Sequence, residues 1–166
     1  MKEISIGQAQ KISSPNPFAL LSSHSADGKN NLMAVSWWTY VSNSPATLAV
    51  CISQKGFTHH NLDDTGDFAL CLPGEKLKDA AFRCGTCSGR DTDKAAAFGI
   101  GLSDASAIDS KLVSGCAVVF ECTVKSSYIV GDHIMYIAEA AAIHGDDSVT
   151  PLFAMNGYGC LDTAGL

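Results

Sequence analysis

The sequence predicts a mainly β fold with inserted helices, a closed or split β-barrel with helical excursions. Two observations carry that expectation. Short runs rich in β-branched, aromatic and other apolar residues recur at residues 18–23, 32–41, 47–52, 68–72, 116–124 and 134–143. Between several of them lie turn signals, Asp27-Gly28, Asn43-Ser44-Pro45 and Pro73-Gly74, where a positive φ or a missing N–H ends a strand.

Taken in order, residues 13–17 (SSPNP) read as a loop, because proline removes a donor and restricts its neighbour. The run 18–23 pairs through Asp27-Gly28 with the run 32–41. Alternation in that second run is expected to place Ala34, Ser36 and Trp38 on one side and Val35, Trp37 and Thr39 on the other. Two adjacent tryptophans then look both ways among small polar groups. That mixture suits either core and interface packing or contact with a flat polar ligand. With 47–52 as a third strand, the first third of the chain is expected to be an antiparallel meander.

A helix over 59–65 is predicted, with Thr58 as its N-cap and Gly66 just past its end. After the strand 68–72, the stripe Leu77, Ala80 and Ala81 makes 75–82 helical, and a shorter helix is expected near 93–98. The run 116–124 alternates, with Cys116, Val118, Phe120, Cys122 and Val124 on one face. Its partner is 134–143 and residues 126–132 are the connection. No repeat, low-complexity tract or linker interrupts the 166 residues, so residues 1–166 are expected to form one domain.

Hydrophobic residues make up 46% and charged residues 17%, which excludes disorder and suggests much buried or intersubunit surface. A net charge of -6 without any Lys/Arg block argues against nucleic acid and anionic membrane as partners. The start MKEISIGQAQ lacks the apolar core of a signal peptide and no apolar run approaches bilayer-spanning length, so a soluble, cytoplasmic protein is expected. The 7 cysteines, an odd number set mostly in apolar runs, point to a reducing compartment rather than a disulfide framework.

Three stretches carry candidate chemistry. Ser53, Gln54, Lys55 and Thr58 lie between a strand and a helix. Free N–H groups, a hydroxyl and a cation there suit a phosphate, or serve as an ordinary cap beside a solvated lysine. Ser88, Gly89, Arg90 and Lys94 form a second small, polar and basic loop entering a helix. Within it, Cys84 and Cys87 lack both the βαβ setting of a thioredoxin-like motif and the second ligand pair of a zinc site. A reactive dithiol and plain packing both stand, and no metal is expected. Third, Gly131-Asp132-His133 ends the last hairpin, where His133 can hold a proton near neutrality, donate to a ligand, or simply form the bend. There is no nucleophile elbow, P-loop or GxGxxG.

In order and spacing, a further set of marks resembles the flavin reductase-like family, FMN-binding split β-barrels that include flavoredoxin. The marks begin with Pro17 and Leu20-Leu21, Asp27-Gly28 and Asn30 before Ser36-Trp37, and Pro45 before the TLAV run. They continue with Thr58, Thr65-Gly66-Asp67-Phe68, Ser88-Gly89-Arg90 with Asp93-Lys94, Gly131-Asp132-His133, Pro151-Leu152 and Gly157-Tyr158. The resemblance covers nearly the whole chain. After Lys94 the run AAAFGI lacks the aromatic residue that members often carry there.

The resemblance implies FMN in a groove at a homodimer interface, with the ring held largely by main chain. Residue by residue, it puts Asn30, Ala34, Val35, Ser36, Trp37 and Trp38 near the flavin ring. Ser53, Gln54, Lys55 and Thr58 would face the ribityl chain and phosphate, and Ser88, Gly89, Arg90 and Lys94 match a second phosphate-binding stretch. His133 matches a position near a nicotinamide. The activity implied is an FMN-dependent oxidoreductase taking hydride from NAD(P)H. The alternative is an FMN electron carrier reduced by a redox protein partner, without a nicotinamide site of its own. In either, the cofactor carries the chemistry, so no catalytic triad is required.

Overall fold

The computed structural model describes residues 1–165. Its elements, in order, are α1 (Ile6–Ile12), β1 (Asn16–Pro17), β2 (Ala19–His24), β3 (Asn30–Val35), β4 (Trp38–Asn43) and β5 (Ala46–Ser53). Then come α2 (Thr58–Thr65), β6 (Asp67–Pro73), a 3-10 turn (Glu75–Leu77), α3 (Lys78–Cys84), α4 (Lys94–Phe98), β7 (Leu102–Ser103) and β8 (Leu112–Val113). The chain finishes with β9 (Cys116–Val130), β10 (His133–Gly145), β11 (Leu152–Met155) and β12 (Cys160–Thr163).

One antiparallel sheet of 7 strands, in the order β3-β2-β6-β9-β10-β5-β4, dominates the molecule. Its two edge strands are consecutive in the chain, joined only by Ser36 and Trp37. Laid flat, six gaps of about 4.8 Å would separate those edges by about 29 Å. From Val35 to Trp38 the backbone reaches at most about 11 Å. The sheet must therefore curl into a barrel, split along an unpaired seam between β3 and β4.

Curling gives the sheet an inside and an outside, and both are covered. Leu21, Val35, Trp38, Val50, Phe68, Phe120 and Tyr136 meet inside, and Leu62 of α2 packs on them. Leu20, Ala69, Cys71 and Val119, one residue out of phase, face an outer layer of α3, α4, β8, β11 and β12. Two-sided burial is why the runs 18–21 and 68–72 read as continuous apolar stretches rather than alternating ones.

Several expectations are corrected by this geometry. Residues 32–41 are two strands, because the run breaks at Ser36-Trp37 to cross the seam. Val35 and Trp38 consequently share the inner core instead of opposite faces. The first third is not a simple meander, since β3 and β4 sit at opposite edges of the sheet. Residues 126–130 are strand, and the β9–β10 turn is only Gly131 and Asp132, with Gly131 at φ 58°. A register shift after Leu72 turns Cys116 toward the outer layer, away from Phe120 and Cys122. Phe57, not Thr58, occupies the N-cap position of α2, while Gly66 ends that helix at φ 74° as expected.

A long stretch between α4 and β9 is held by two acids, Glu121, which is buried, and Asp67, which is partly buried. Glu121 is 0% exposed and accepts from Ser106 N at 3.0 Å, Ala107 N at 2.6 Å and His144 Nε2 at 2.7 Å. Asp67 accepts from Ser110 N at 3.1 Å in the same way. Burial pushes the Glu121 carboxyl up. The hydrogen bonds from Ser106, His144 and Ala107 outweigh that and hold it below the ordinary carboxylate value. A depressed folded pKa contributes stability that is present above the unfolded value, about 4.3, and lost as pH falls through the lower folded value. Glu121→Gln turns an amide NH2 toward these donors. Denaturant unfolding at pH 7 should show a loss of about 1–3 kcal/mol, with less of the acid dependence of the parent. Unchanged stability would mean the loop is held elsewhere.

Candidate functional site

A cavity of about 460 Å³ opens beside β3, between the turn before α2 and the loop joining α3 to α4. Among the described residues, Lys55, Arg90 and Lys94 line it and no carboxylate does, although the whole chain carries a net charge of -6. That segregation of charge is the signature of a site for an anion.

Lys94 is the first residue of α4, and Asp93 caps that helix by accepting from Ala96 N at 3.1 Å. The cap aims Lys94 inward, where it is 6% exposed and donates to the Cys84 carbonyl at 2.7 Å. Burial pulls its ammonium below the ordinary lysine value, with Cys87 and Cys84 acting in the opposite direction. An ammonium has three donors, so one carbonyl leaves it with hydrogen bonds to give. Arg90 reaches over the Phe57 ring at 5.9 Å and stays exposed.

Opposite Lys94, Asn31 Nδ2 donates to Thr58 Oγ1 at 3.0 Å, and both residues are buried. Asn31 Oδ1 is buried with no hydrogen-bond partner. Gly89 lies directly on this side chain, and a Cβ there would collide with Asn31 Oδ1 and Cγ. The absence of a side chain at residue 89 is what lets the basic loop close against β3. Cationic donors with hydrogen bonds to give, around a cavity whose basic loop closes tightly on β3, are a cradle for an anionic ligand.

Of the residues singled out from the sequence, Ala34, Lys55, Thr58, Ser88, Gly89, Arg90 and Lys94 come together in this cavity. Val35 and Trp38 lie inside the barrel, and Ser36 with Trp37 forms the crossing of the seam. Trp37 is 47% exposed and stacks on His133, with ring centroids 4.6 Å apart and planes at 29°. His133 Nδ1 is also 2.7 Å from Asp132 Oδ1. Ser53 pairs with His133 across β5 and β10, and Gln54 Nε2 donates to Gly131 O at 2.8 Å. These four stand on the shoulder of the cavity, next to Lys55, rather than in its lining. Asn30 points to the neighbouring surface, with its side chain against Ser22 Oγ at 3.3 Å.

Asn31, Met33 and Phe57 line the cavity without having been picked from the sequence. Asn31 adjoins Asn30, and strand alternation sends the two to opposite faces, so only the register could choose between them.

A family model described as "Flavin reductase like domain" matches residues 12–160. The actinorhodin polyketide dimerase of Streptomyces coelicolor is 28% identical over 137 residues, 82% of this chain and 74% of that protein. Among solved structures, flavoredoxin of Desulfovibrio vulgaris superimposes with a TM-score of 0.87 at 21% identity, covering 100% of this chain and 94% of that one. The NADH:FAD oxidoreductase of Streptomyces globisporus gives a TM-score of 0.87 at 15% identity, with 100% and 99% covered. The seam-split barrel and a family match running through β2, the basic loop and the last hairpin agree, and the chain belongs to the flavin reductase-like family.

Proposed function

We propose that the chain binds FMN in this cavity and works as an FMN-dependent oxidoreductase, accepting hydride from NAD(P)H and passing the electrons to an acceptor. The observation that carries the reading is the convergence, among the described residues, of three cations and no carboxylate on one cavity of a net acidic protein. The residues suit FMN. Lys94, Lys55 and Arg90 would hold the phosphate. β3 and β4 are sheet edges, so their outer N–H and C=O groups are free to meet the rim of a flat ring at the seam. Bound FMN would supply the two-electron chemistry; the chain orients it and shields it from water. The Trp37–His133 stack offers a planar platform for a nicotinamide, held in orientation by Asp132.

A homodimer completes the proposal. On the uncovered outer face, Met135 pairs with Cys51 and Tyr128, and Cys51 N bonds Trp37 O, which makes a continuous row of side chains across three strands and the Ser36-Trp37 crossing. Tyr128 and Trp37 in this row are exposed, as are Ile129 and Val130 beside it. An apolar sheet face of that size is the form an interface between copies takes. The free cysteines accord with a cytoplasmic location.

Purified protein titrated with FMN should turn yellow and quench the flavin's fluorescence, and should bind riboflavin, which lacks the phosphate, more weakly. Lys94→Met removes a charge-assisted contact, so its FMN affinity should fall about tenfold or more while riboflavin affinity changes little. Protein that stays colourless in excess FMN would overturn the reading. In anaerobic stopped-flow, NADH or NADPH should bleach the FMN-loaded protein, and His133→Ala should slow that step with FMN still bound. Bleaching by a reduced redox protein alone would instead make the chain an electron carrier. Mass in solution should be twice that of one chain, and Met135→Glu should halve it; a wild-type monomer would remove the dimer.

A further inference from the structure

The wall of the cavity contains a pair of thiols that binding a flavin phosphate does not use. Cys84 is the last residue of α3, and the chain keeps turning beyond it, with Gly85 N bonding Phe82 O and Thr86 N bonding Arg83 O. That turn brings Cys87 back over the helix end, where its Sγ lies 3.9 Å from the Arg83 carbonyl oxygen, the carbonyl bonded to the Cys84 amide. The three-residue spacing at this helix end and their shared place in the cavity wall make the two thiols neighbours. The turn is pinned: a Cβ at Gly85 would meet the Tyr158 hydroxyl at 2.6 Å, and Tyr158 itself stacks on Phe82 with centroids 5.8 Å apart.

The two thiols differ in access. Cys84 is 1% exposed, whereas Cys87 is half-buried, and both line the cavity. Burial pushes the Cys84 thiol up to about 11, which keeps it a protonated, slow nucleophile in the reduced protein. Lys94 Nζ donates to the Cys84 carbonyl at 2.7 Å, and its positive charge acts against the effect of burial on the Cys84 thiol. Neither cysteine sits in a βαβ redox motif, yet the turn presents an accessible thiol first and a covered one behind it.

We propose that Cys84 and Cys87 are an oxidisable dithiol in the wall of this cavity, reacting with a hydroperoxide, with Cys87 attacked first and Cys84 resolving it. Cys87 sulfur takes the distal oxygen of the peroxide, the O–O bond breaks, and the leaving hydroxide is protonated to water. Cys84 sulfur then displaces hydroxide from the Cys87 sulfenic acid, and with the thiol proton this leaves as a second water. The sum is two thiols plus one hydrogen peroxide to one disulfide plus two waters, the peroxide being the two-electron acceptor. That peroxide would form next to this cavity, at the ring along the seam, rests on the flavin reading above, because reduced flavin exposed to dioxygen releases it.

The test has two arms that fail separately. Trypsin cuts after Arg83 and Arg90, so the peptide 84–90, CGTCSGR, carries both thiols and no other cysteine. In the first arm, flavin-free protein is treated with hydrogen peroxide, alkylated and digested. This peptide should lose two hydrogens and escape alkylation, reversibly with dithiothreitol, before the buried Cys71 and Cys122 react. Cys84→Ser should leave a Cys87 sulfenic acid that dimedone traps, while Cys87→Ser should leave Cys84 reduced and dimedone-silent. A peptide 84–90 that stays fully alkylated at peroxide levels oxidising the exposed Cys160, or a Cys84 labelled as readily as Cys87, overturns the dithiol. In the second arm, FMN-loaded protein is reduced and exposed to air with catalase in the bulk solution. The disulfide should still form; if it forms only without catalase, peroxide arrives through the bulk solution and the source beside the cavity is wrong. Failure to bind FMN sinks the flavin reading alone and leaves the first arm to judge the cysteines.

Discussion

Two residues, Ser36 and Trp37, have to carry the chain from one edge of a seven-stranded sheet to the other. Nothing else in the molecule is as restrictive. A span of about 11 Å against a flat width of about 29 Å forces curvature, and the curvature creates the inner core, the outer core and the open seam. The inner core then closes with Trp38 and Phe120 at 6.4 Å between ring centroids and with α2 tied down by Tyr136 donating to Asp63 at 2.8 Å. Because the two edges meet without pairing, backbone donors and acceptors remain free where the fold is narrowest.

The cavity beside that seam concentrates unfavourable terms that a ligand would relieve. A buried ammonium costs several kcal/mol unless it is well partnered, and Lys94 has a single carbonyl. A buried amide oxygen without a donor costs a further 1–3 kcal/mol or so, and Asn31 has one. Gly89 adds a backbone with no side chain to pack, pressed against Asn31. These features lower the stability of the empty protein and make sense as a preorganised anion site. Occupancy would return that stability by linkage. The same pinned turn that delivers Ser88 and Gly89 also carries Cys87 back over the end of α3, so the proposed ligand site and the proposed dithiol would share one scaffold.

Local physics made much of the fold legible. Gly28 at φ 83°, Gly66 at φ 74° and Asp93 at the start of α4 do what their residue types demand, whatever surrounds them. A capping box between Ser5 and Gln8 starts α1, a local signal that makes a helix although the segment buries nothing. The small sheet of β1, β11 and β12 was not legible at all. Asn16 and Pro17 acquire their strand character only from Ala154 and Phe153, more than a hundred residues away.

By itself the sequence determined the kinds of element, the turns between them, two basic hydroxyl-bearing loops and a net acidic chain, all of them properties of neighbours in the chain. Only the tertiary structure decided that the strand through Trp37 and Trp38 is two strands, that Asn31 rather than Asn30 faces the cavity, and that the two loops share one anion-sized space. The reason is register. Strand alternation sends adjacent residues to opposite faces, and which face is inside depends on partners such as Ser23 opposite Asn31 and Val50 opposite Trp38, set by the closure of the whole barrel.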